Sequence, residues 1–315
     1  MTSRVAAIDC GTNSLRLLLA DVDPDRAVLT DVTRRMEIVR LGQGVDQTGR
    51  LAPEALTRTI AVLRDYAGII TDAGAQAVRM VATSATRDAS NADVFVRMVA
   101  EVLGVAPEVL TGDEEAVLSF TGATAELAAG SDPGPFLVAD IGGGSTEFVL
   151  GPAGKPPEHQ LSVNVGCVRM TERHLHSDPP TEHEVAAASA DIDAALDAVA
   201  AAVPVRQART LVGLAGSVAT VAGIALGLPR YDSNLIHHAR VSAAGVHAVA
   251  SALLTQTRAE RAAIGVMHPG RVDVIGGGAL ILDRLMERFG FGAVLASEHD
   301  ILDGIAWSLA RRGPG

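Results

Sequence analysis

The segment VAAIDCGTNSLRLLLAD, residues 5–21, decides how the chain is read. An apolar run from Val5 to Ile8 reaches Asp9, breaks into Gly11-Thr12-Asn13-Ser14, and resumes as Leu15-Arg16-Leu17-Leu18-Leu19. Gly and Asn are ordinary turn residues, so taken alone the interruption is a turn between two strands. A second copy changes its weight. VADIGGGSTEFVLGP aligns with AIDCGTNSLRLLLAD at one constant offset, without gaps. Asp9 falls on Asp140, Gly11 on Gly142, Ser14 on Ser145 and Arg16 on Glu147. Each half therefore opens with a buried strand ending in Asp, a Gly-rich turn and a second strand. That unit is a β-hairpin with a loop longer than the tightest turns. Its recurrence at the first hairpin of each half favours a duplicated domain.

Such a loop has the makings of a phosphate cradle. Glycines let backbone N–H groups converge on an anion, and Thr, Asn and Ser add further donors. The binding candidates are Gly11, Thr12, Asn13 and Ser14 in the first loop, and Gly142, Gly143, Gly144, Ser145 and Thr146 in the second. An Asp at the strand end repels phosphate unless a divalent cation, ordinarily Mg²⁺, lies between them. Two loops facing each other across a cleft would clamp neighbouring phosphates of one chain. No G-x-x-x-x-G-K-[ST] or G-x-G-x-x-G occurs, which removes the P-loop and Rossmann solutions.

The bulk properties fit a soluble globular chain long enough for two domains. The 315 residues are 48% hydrophobic and 20% charged, with only 3% aromatics, so the cores rest on Val, Leu, Ile and Ala. A net charge of −11 argues against a general nucleic-acid binder. Of the 26 basic residues Lys155 is the one lysine, a bias too uniform to signal function. Cys10 and Cys167 make no disulfide framework, and the N-terminus has too short an apolar stretch for a signal peptide; both point to the cytoplasm. The uncharged run 211–229 contains four glycines and reads as strand, turn and helix rather than a membrane span.

Strands and helices alternate throughout, which means α/β. Strands are expected at 4–9, 14–21, 27–40, 77–85, 107–110, 136–141, 145–151, 159–166, 209–214 and 293–297. Helices are expected from Pro53 to Gly74 and at 91–104, 112–128, 167–175, 181–202, 217–227, 242–257 and 300–312. Residues 271–289 are compatible with one Gly-weakened helix or with strand, turn and helix. The turn-rich GSDPGP, 130–135, marks the boundary, giving domains 1–128 and 129–299, with the final helix 300–315 packing back on the first.

These residues carry a resemblance. The duplicated hairpins resemble those of the actin/Hsp70/sugar-kinase superfamily, and within it the exopolyphosphatase and guanosine pentaphosphate phosphohydrolase family. VATSATRDASN (81–91), TGDEEA (111–116), LSVNVGCVRMTE (161–172) and LVGLAGSVATVAG (211–223) match the family's character and order. The resemblance implies a duplicated actin-like (RNase H-like) fold with its site in an interdomain cleft. It also implies Mg²⁺-dependent removal of the terminal phosphate from inorganic polyphosphate or guanosine pentaphosphate, and a homodimer. The chain stops at Gly315 without the helical extension of longer members, an expectation of short polyphosphates.

The chemistry-bearing residues follow. Thr111 and Glu114 fit a capping box, S/T-x-x-E, which gives Glu114 a structural task and leaves Glu115 pointing elsewhere. Spacing alone leaves Glu115 open between a dipole-stabilising acid and a catalyst; the resemblance makes it the catalytic base. Asp140 and Glu147 are the metal candidates, with Asp9 either a third ligand or a buttress of its loop. Arg87 is a phosphate clamp or a surface ion pair. Nine His, including His237-His238, show no zinc spacing and read as structural. Arg261 and Arg271 stay unassigned. Readings from other classes are an actin-like kinase or ATPase, with VIGGGALIL (274–282) near adenosine, and a silent phosphate sensor.

Overall fold

The computed structural model describes residues 2–127, 130 and 132–312. The chain divides into two compact units, Met1–Gly122 with Ile301–Gly315, and Ala123–Asp300. The boundary expected between 128 and 129 lies outside the described residues.

Unit 1 is built on a sheet of strands β1 (Ser3–Cys10), β2 (Ser14–Asp23), β3 (Val28–Ile38), β4 (Ala77–Ala82) and β5 (Glu108–Val109), in the order β3-β2-β1-β4-β5. β1–β2 and β2–β3 are antiparallel, while β1–β4 and β4–β5 are parallel. The apolar run of β1 is continuous because both faces are covered. Side chains alternate along a strand, so Ala6, Ile8 and Cys10 join one core and Val5 and Ala7 another. Helices Pro53–Asp72 and Ala92–Leu103 close the first face with Leu56, Ile60, Leu63, Phe95 and Val99. Helix Ile301–Arg312 closes the second with Ile301, Leu302, Ile305 and Trp307.

That last helix sits tightly. Arg34 reaches its buried Asp303 at 2.6 Å, and Arg79 donates to Ser308 Oγ at 2.6 Å. A Cβ at Gly304 would collide with the Leu118 carbonyl of helix Gly112–Thr124. Overpacking of this kind costs about 1–3 kcal/mol. Gly304→Ala is therefore expected to destabilise the chain by that amount, read from urea unfolding, without touching any residue of the candidate site.

Unit 2 is built on β6 (Phe136–Ile141), β7 (Thr146–Gly151), β8 (His159–Val163), β9 (Thr210–Leu214), β10 (Arg240–Ser242) and β11 (Ala293–Ala296). The order β10-β11-β9-β6-β7-β8, read from the far edge, gives β8-β7-β6-β9-β11. This repeats β3-β2-β1-β4-β5 strand for strand and direction for direction; β10 adds an antiparallel edge. The fold is a duplicated actin-like α/β fold.

Residues 275–289 form one helix. The uncharged run 211–229 is β9 with helix Ala215–Ala225. Among the described residues no helix is long and apolar enough to cross a membrane. Short helices at Ser84–Asp88, Ser233–Ile236 and Arg258–Ala262, and strand β10, go beyond the sequence expectation.

Candidate functional site

In unit 2 the register of the hairpin places Asp140 directly opposite Glu147. Gly142 N–H donates to Ser145 O at 3.0 Å and closes the loop. The carbonyls of Gly142, Gly143 and Gly144 turn toward the start of helix Cys167–His174. Gly142 O accepts from Cys167 N, Gly143 O from Val168 N and Arg169 N, and Gly144 O from Arg169 Nε at 2.7 Å. In a trans peptide the C=O of one residue points opposite to the N–H of the next. The N–H groups of Gly143, Gly144 and Ser145 are thus directed away from that helix. Among the described residues none of these three amides donates to a backbone carbonyl. Successive N–H groups on one side make an anion-binding concavity. Gly166 permits the arrangement, since a Cβ there would lie 2.5 Å from the Gly143 carbonyl.

The first loop is built likewise from different parts. Gly11 N–H donates to Ser14 O at 3.0 Å. A strap following β3 supplies donors, Val39 N and Arg40 N to Asn13 O and Gly42 N to Thr12 O. With the Thr12 carbonyl turned to the strap, the Asn13 N–H points away from it. Thr12 Oγ1 lies 2.8 Å from Ser84 Oγ. Asn13 Oδ1 and Thr86 Oγ1 are buried and have no hydrogen-bond partner among the described residues.

The same register in the two hairpins carries different charges. Asp9 lies opposite Arg16, which donates to its Oδ2 from Nη2 at 2.7 Å and Nε at 3.0 Å. Asp9, considered as a metal ligand, is thus engaged by a guanidinium, the buttressing arrangement. Asp140 is 8% exposed and Glu147 1% exposed, and Glu147 Oε1 accepts from Ser162 Oγ at 2.7 Å. Two carboxylates opposed on one face of a buried strand pair form an all-oxygen, doubly anionic donor set, which fits a hard divalent cation such as Mg²⁺. Thr146, expected among the phosphate donors, is fully buried and its hydroxyl donates to Val165 O at 2.6 Å. That hydroxyl is engaged within the unit, on the carbonyl that precedes Gly166.

Removing Arg16 would leave Asp9 buried without this cation, and breaking one side of a buried pair costs about 3–5 kcal/mol. Because Arg16 is part-exposed, Arg16→Met is expected to destabilise the chain by about 3 kcal/mol or less, read from chemical denaturation.

Glu115 and Arg87 meet in unit 1. Thr111 and Glu114 make the expected capping box, with Thr111 N and Oγ1 both 2.8 Å from Glu114 Oε2. The Thr111 backbone N–H and then its hydroxyl hold the Glu114 carboxyl below its ordinary pKa. Glu115, 8% exposed, faces the other way and accepts from Arg87 Nη1 at 3.1 Å. The same Nη1 donates to Leu110 O at 2.9 Å. Arg87 lies on helix Ser84–Asp88, whose N-cap Thr83 donates its N–H to Cys10 O at the end of β1. The pair is therefore anchored to the strand that carries the first loop.

The remaining residues sort by contact. Arg271 Nη1 donates to Gly216 O in the GLAGS turn, and the buried Arg261 contacts Asp178 and the Leu253 carbonyl. The glycines of VIGGGALIL pack against protein: a Cβ at Gly277 would lie 2.9 Å from Cys167 O, and one at Gly278 would strike Ser217. Burial raises the Cys167 thiol pKa. Sequence reasoning missed Ser162, the strap at 39–42 and Arg169. Arg16 was legible as the residue aligned with Glu147.

A model of the Ppx/GppA phosphatase family matches residues 19–312. Exopolyphosphatase 2 of Mycobacterium tuberculosis (strain CDC 1551 / Oshkosh) is 53% identical over 323 residues, covering 98% of this chain and 99% of that protein. The crystal structure of an exopolyphosphatase-like protein has a TM-score of 0.95 at 43% identity, covering 99% of this chain and 98% of the other. The Ppx-GppA enzyme of Aquifex aeolicus has a TM-score of 0.81 at 30% identity, covering 98% of this chain and 100% of the other.

Proposed function

The chain belongs to the Ppx/GppA phosphatase family, and from that premise we propose that it is an exopolyphosphatase. It hydrolyses the terminal phosphoanhydride of inorganic polyphosphate and releases orthophosphate. The observation that carries this reading is the 53% identity to an exopolyphosphatase across 98% of the chain.

The residues divide the work as follows. Glu115 orients and deprotonates the water that attacks the terminal phosphorus. Arg87 holds the Glu115 carboxylate with Nη1 and has further guanidinium N–H groups to offer phosphate oxygens. The amides of Asn13, Gly143, Gly144 and Ser145 bind phosphate oxygens without carrying a charge of their own. Asp140 and Glu147 hold Mg²⁺. When bound, the ion neutralises phosphate charge and strengthens the leaving group. Phosphoryl transfer asks mainly for positioning and charge stabilisation, and a polyphosphate leaving group is already a stable anion. No separate general acid is required. The homodimer and the cytoplasmic location belong to the same proposal; the buried free thiols of Cys10 and Cys167 accord with a reducing compartment.

The test is Mg²⁺-dependent orthophosphate release from short polyphosphate, long polyphosphate, guanosine pentaphosphate and ATP. Polyphosphate is expected to be turned over fastest, short chains ahead of long ones. Faster turnover of guanosine pentaphosphate would move the assignment to the nucleotide, and faster turnover of ATP to an ATPase.

A further inference from the structure

The two phosphate loops are held at equivalent carbonyls, but by different kinds of donor. Thr12 aligns with Gly143 and Asn13 with Gly144. In unit 1 the main chain holds both carbonyls. Gly42 N–H donates to Thr12 O at 2.8 Å, and Val39 N–H and Arg40 N–H donate to Asn13 O at 3.0 and 2.9 Å. In unit 2 the Gly143 carbonyl takes Val168 N–H and Arg169 N–H at 2.9 and 3.1 Å. The Gly144 carbonyl takes the Arg169 guanidinium, through Nε at 2.7 Å. Among the described residues no backbone N–H donates to Gly144 O.

The helix behind the second loop has no amide left for that carbonyl. The first N–H groups of a helix lack intrahelical partners, and those of Cys167, Val168 and Arg169 are directed to Gly142 O and Gly143 O. Met170 N–H already closes the helix onto Gly166 O at 2.9 Å. A side chain has to reach the next carbonyl, and half-buried Arg169 thereby holds two successive loop carbonyls. Two unrelated segments, the strap at 39–42 and the helix start at 167–169, secure the same two positions. The requirement therefore belongs to the loop.

The Gly144 carbonyl and the Ser145 N–H share one peptide plane and point opposite ways. Glycine ahead of that plane lets it rotate at little steric cost. Turned over, it would aim the Gly144 oxygen into the concavity, a negative end where an anion has to sit. On the exopolyphosphatase reading of this site, we infer that Arg169 is a positioning residue. Its Nε–H locks the Gly144–Ser145 peptide so that the Ser145 amide faces the phosphate. Arg169 acts through the peptide, and what the loop requires of it is a donor at that atom rather than a charge.

Donor and charge can be separated by substitution. Glutamine carries its amide nitrogen at the same place along the side chain as arginine Nε, without a charge; methionine has a methyl group there. In Arg169→Met the KM for short polyphosphate is expected to rise roughly ten- to hundred-fold, the equivalent of one charge-assisted hydrogen bond, with kcat within a few-fold of wild type. Arg169→Gln is expected to recover most of that loss. The Kd for tripolyphosphate with Mg²⁺, titrated in the slow Glu115→Gln background, should follow the same order without any need for turnover. A disturbed fold would instead lower kcat through the active fraction, and circular dichroism of both variants reads it directly. Wild-type KM and Kd in Arg169→Met, Arg169→Gln as weak as Arg169→Met, or no tripolyphosphate binding at all overturns the inference. Failure of the wild type to release orthophosphate from polyphosphate overturns the exopolyphosphatase reading, and the tripolyphosphate titration still decides the role of Arg169.

Discussion

Glu115→Gln is expected to slow orthophosphate release by roughly 10²–10⁴-fold, the range associated with loss of general-base assistance. The amide has the shape of the carboxylate and keeps an oxygen for Arg87, so the 3.1 Å contact has a successor. What disappears is the capacity to take a proton from water. The loss should therefore fall on kcat, with KM little changed, because substrate binding rests on the loop amides and Arg87. Stability should change by no more than about 1.5–3 kcal/mol, since one charge-assisted hydrogen bond becomes a weaker one while Arg87 keeps its bond to Leu110 O. Turnover within a few-fold of wild type would sink the assignment of Glu115 as the base.

Glu147→Gln is expected to move activity and stability in opposite directions. Asp140 and Glu147 are directly opposed, and two unit charges about 5 Å apart at an effective dielectric of about 20 repel by about 3 kcal/mol. The amide removes one of those charges and keeps an oxygen for the Ser162 hydroxyl. In chelator, the melting temperature of the variant should rise above that of wild type. With Mg²⁺ present the order should reverse, and the Mg²⁺ concentration giving half-maximal activity should rise by at least about ten-fold. A carboxylate serving only as a strand residue would show no such crossover, so an unchanged Mg²⁺ response in the variant rules out the metal role.

Much of the fold was legible because its decisive signal is local and repeated. The hairpin recurs in register, and the capping box at Thr111 and Glu114 needs only a four-residue window. The opposite charges at Arg16 and Glu147 were visible in the same alignment. The helix at 275–289 was undecided for a physical reason. Gly276, Gly277 and Gly278 weaken helix propensity, and what accompanies the helix is close packing of Gly277 and Gly278 against Cys167 and Ser217, segments far away in sequence. Likewise, no spacing rule could show that Asn13 O is bonded by a strap after β3, or that Ser162 would pair with Glu147.

The opposed pairs at the ends of β1 and β6 have a consequence for how the two halves respond to their surroundings. In one half the counter-charge to the aspartate is part of the polypeptide: Arg16 was installed at synthesis and cannot leave. In the other the residue opposite the aspartate is Glu147, itself an anion, and under the proposed function the two take up a cation from solution. Polyphosphate chelates Mg²⁺, so the substrate can bring that cation with it. One copy of the duplicated hairpin is then permanently set, and the other is completed only when ion and substrate are both at hand. A single change of sign opposite the aspartate separates a constitutive half from a conditional one.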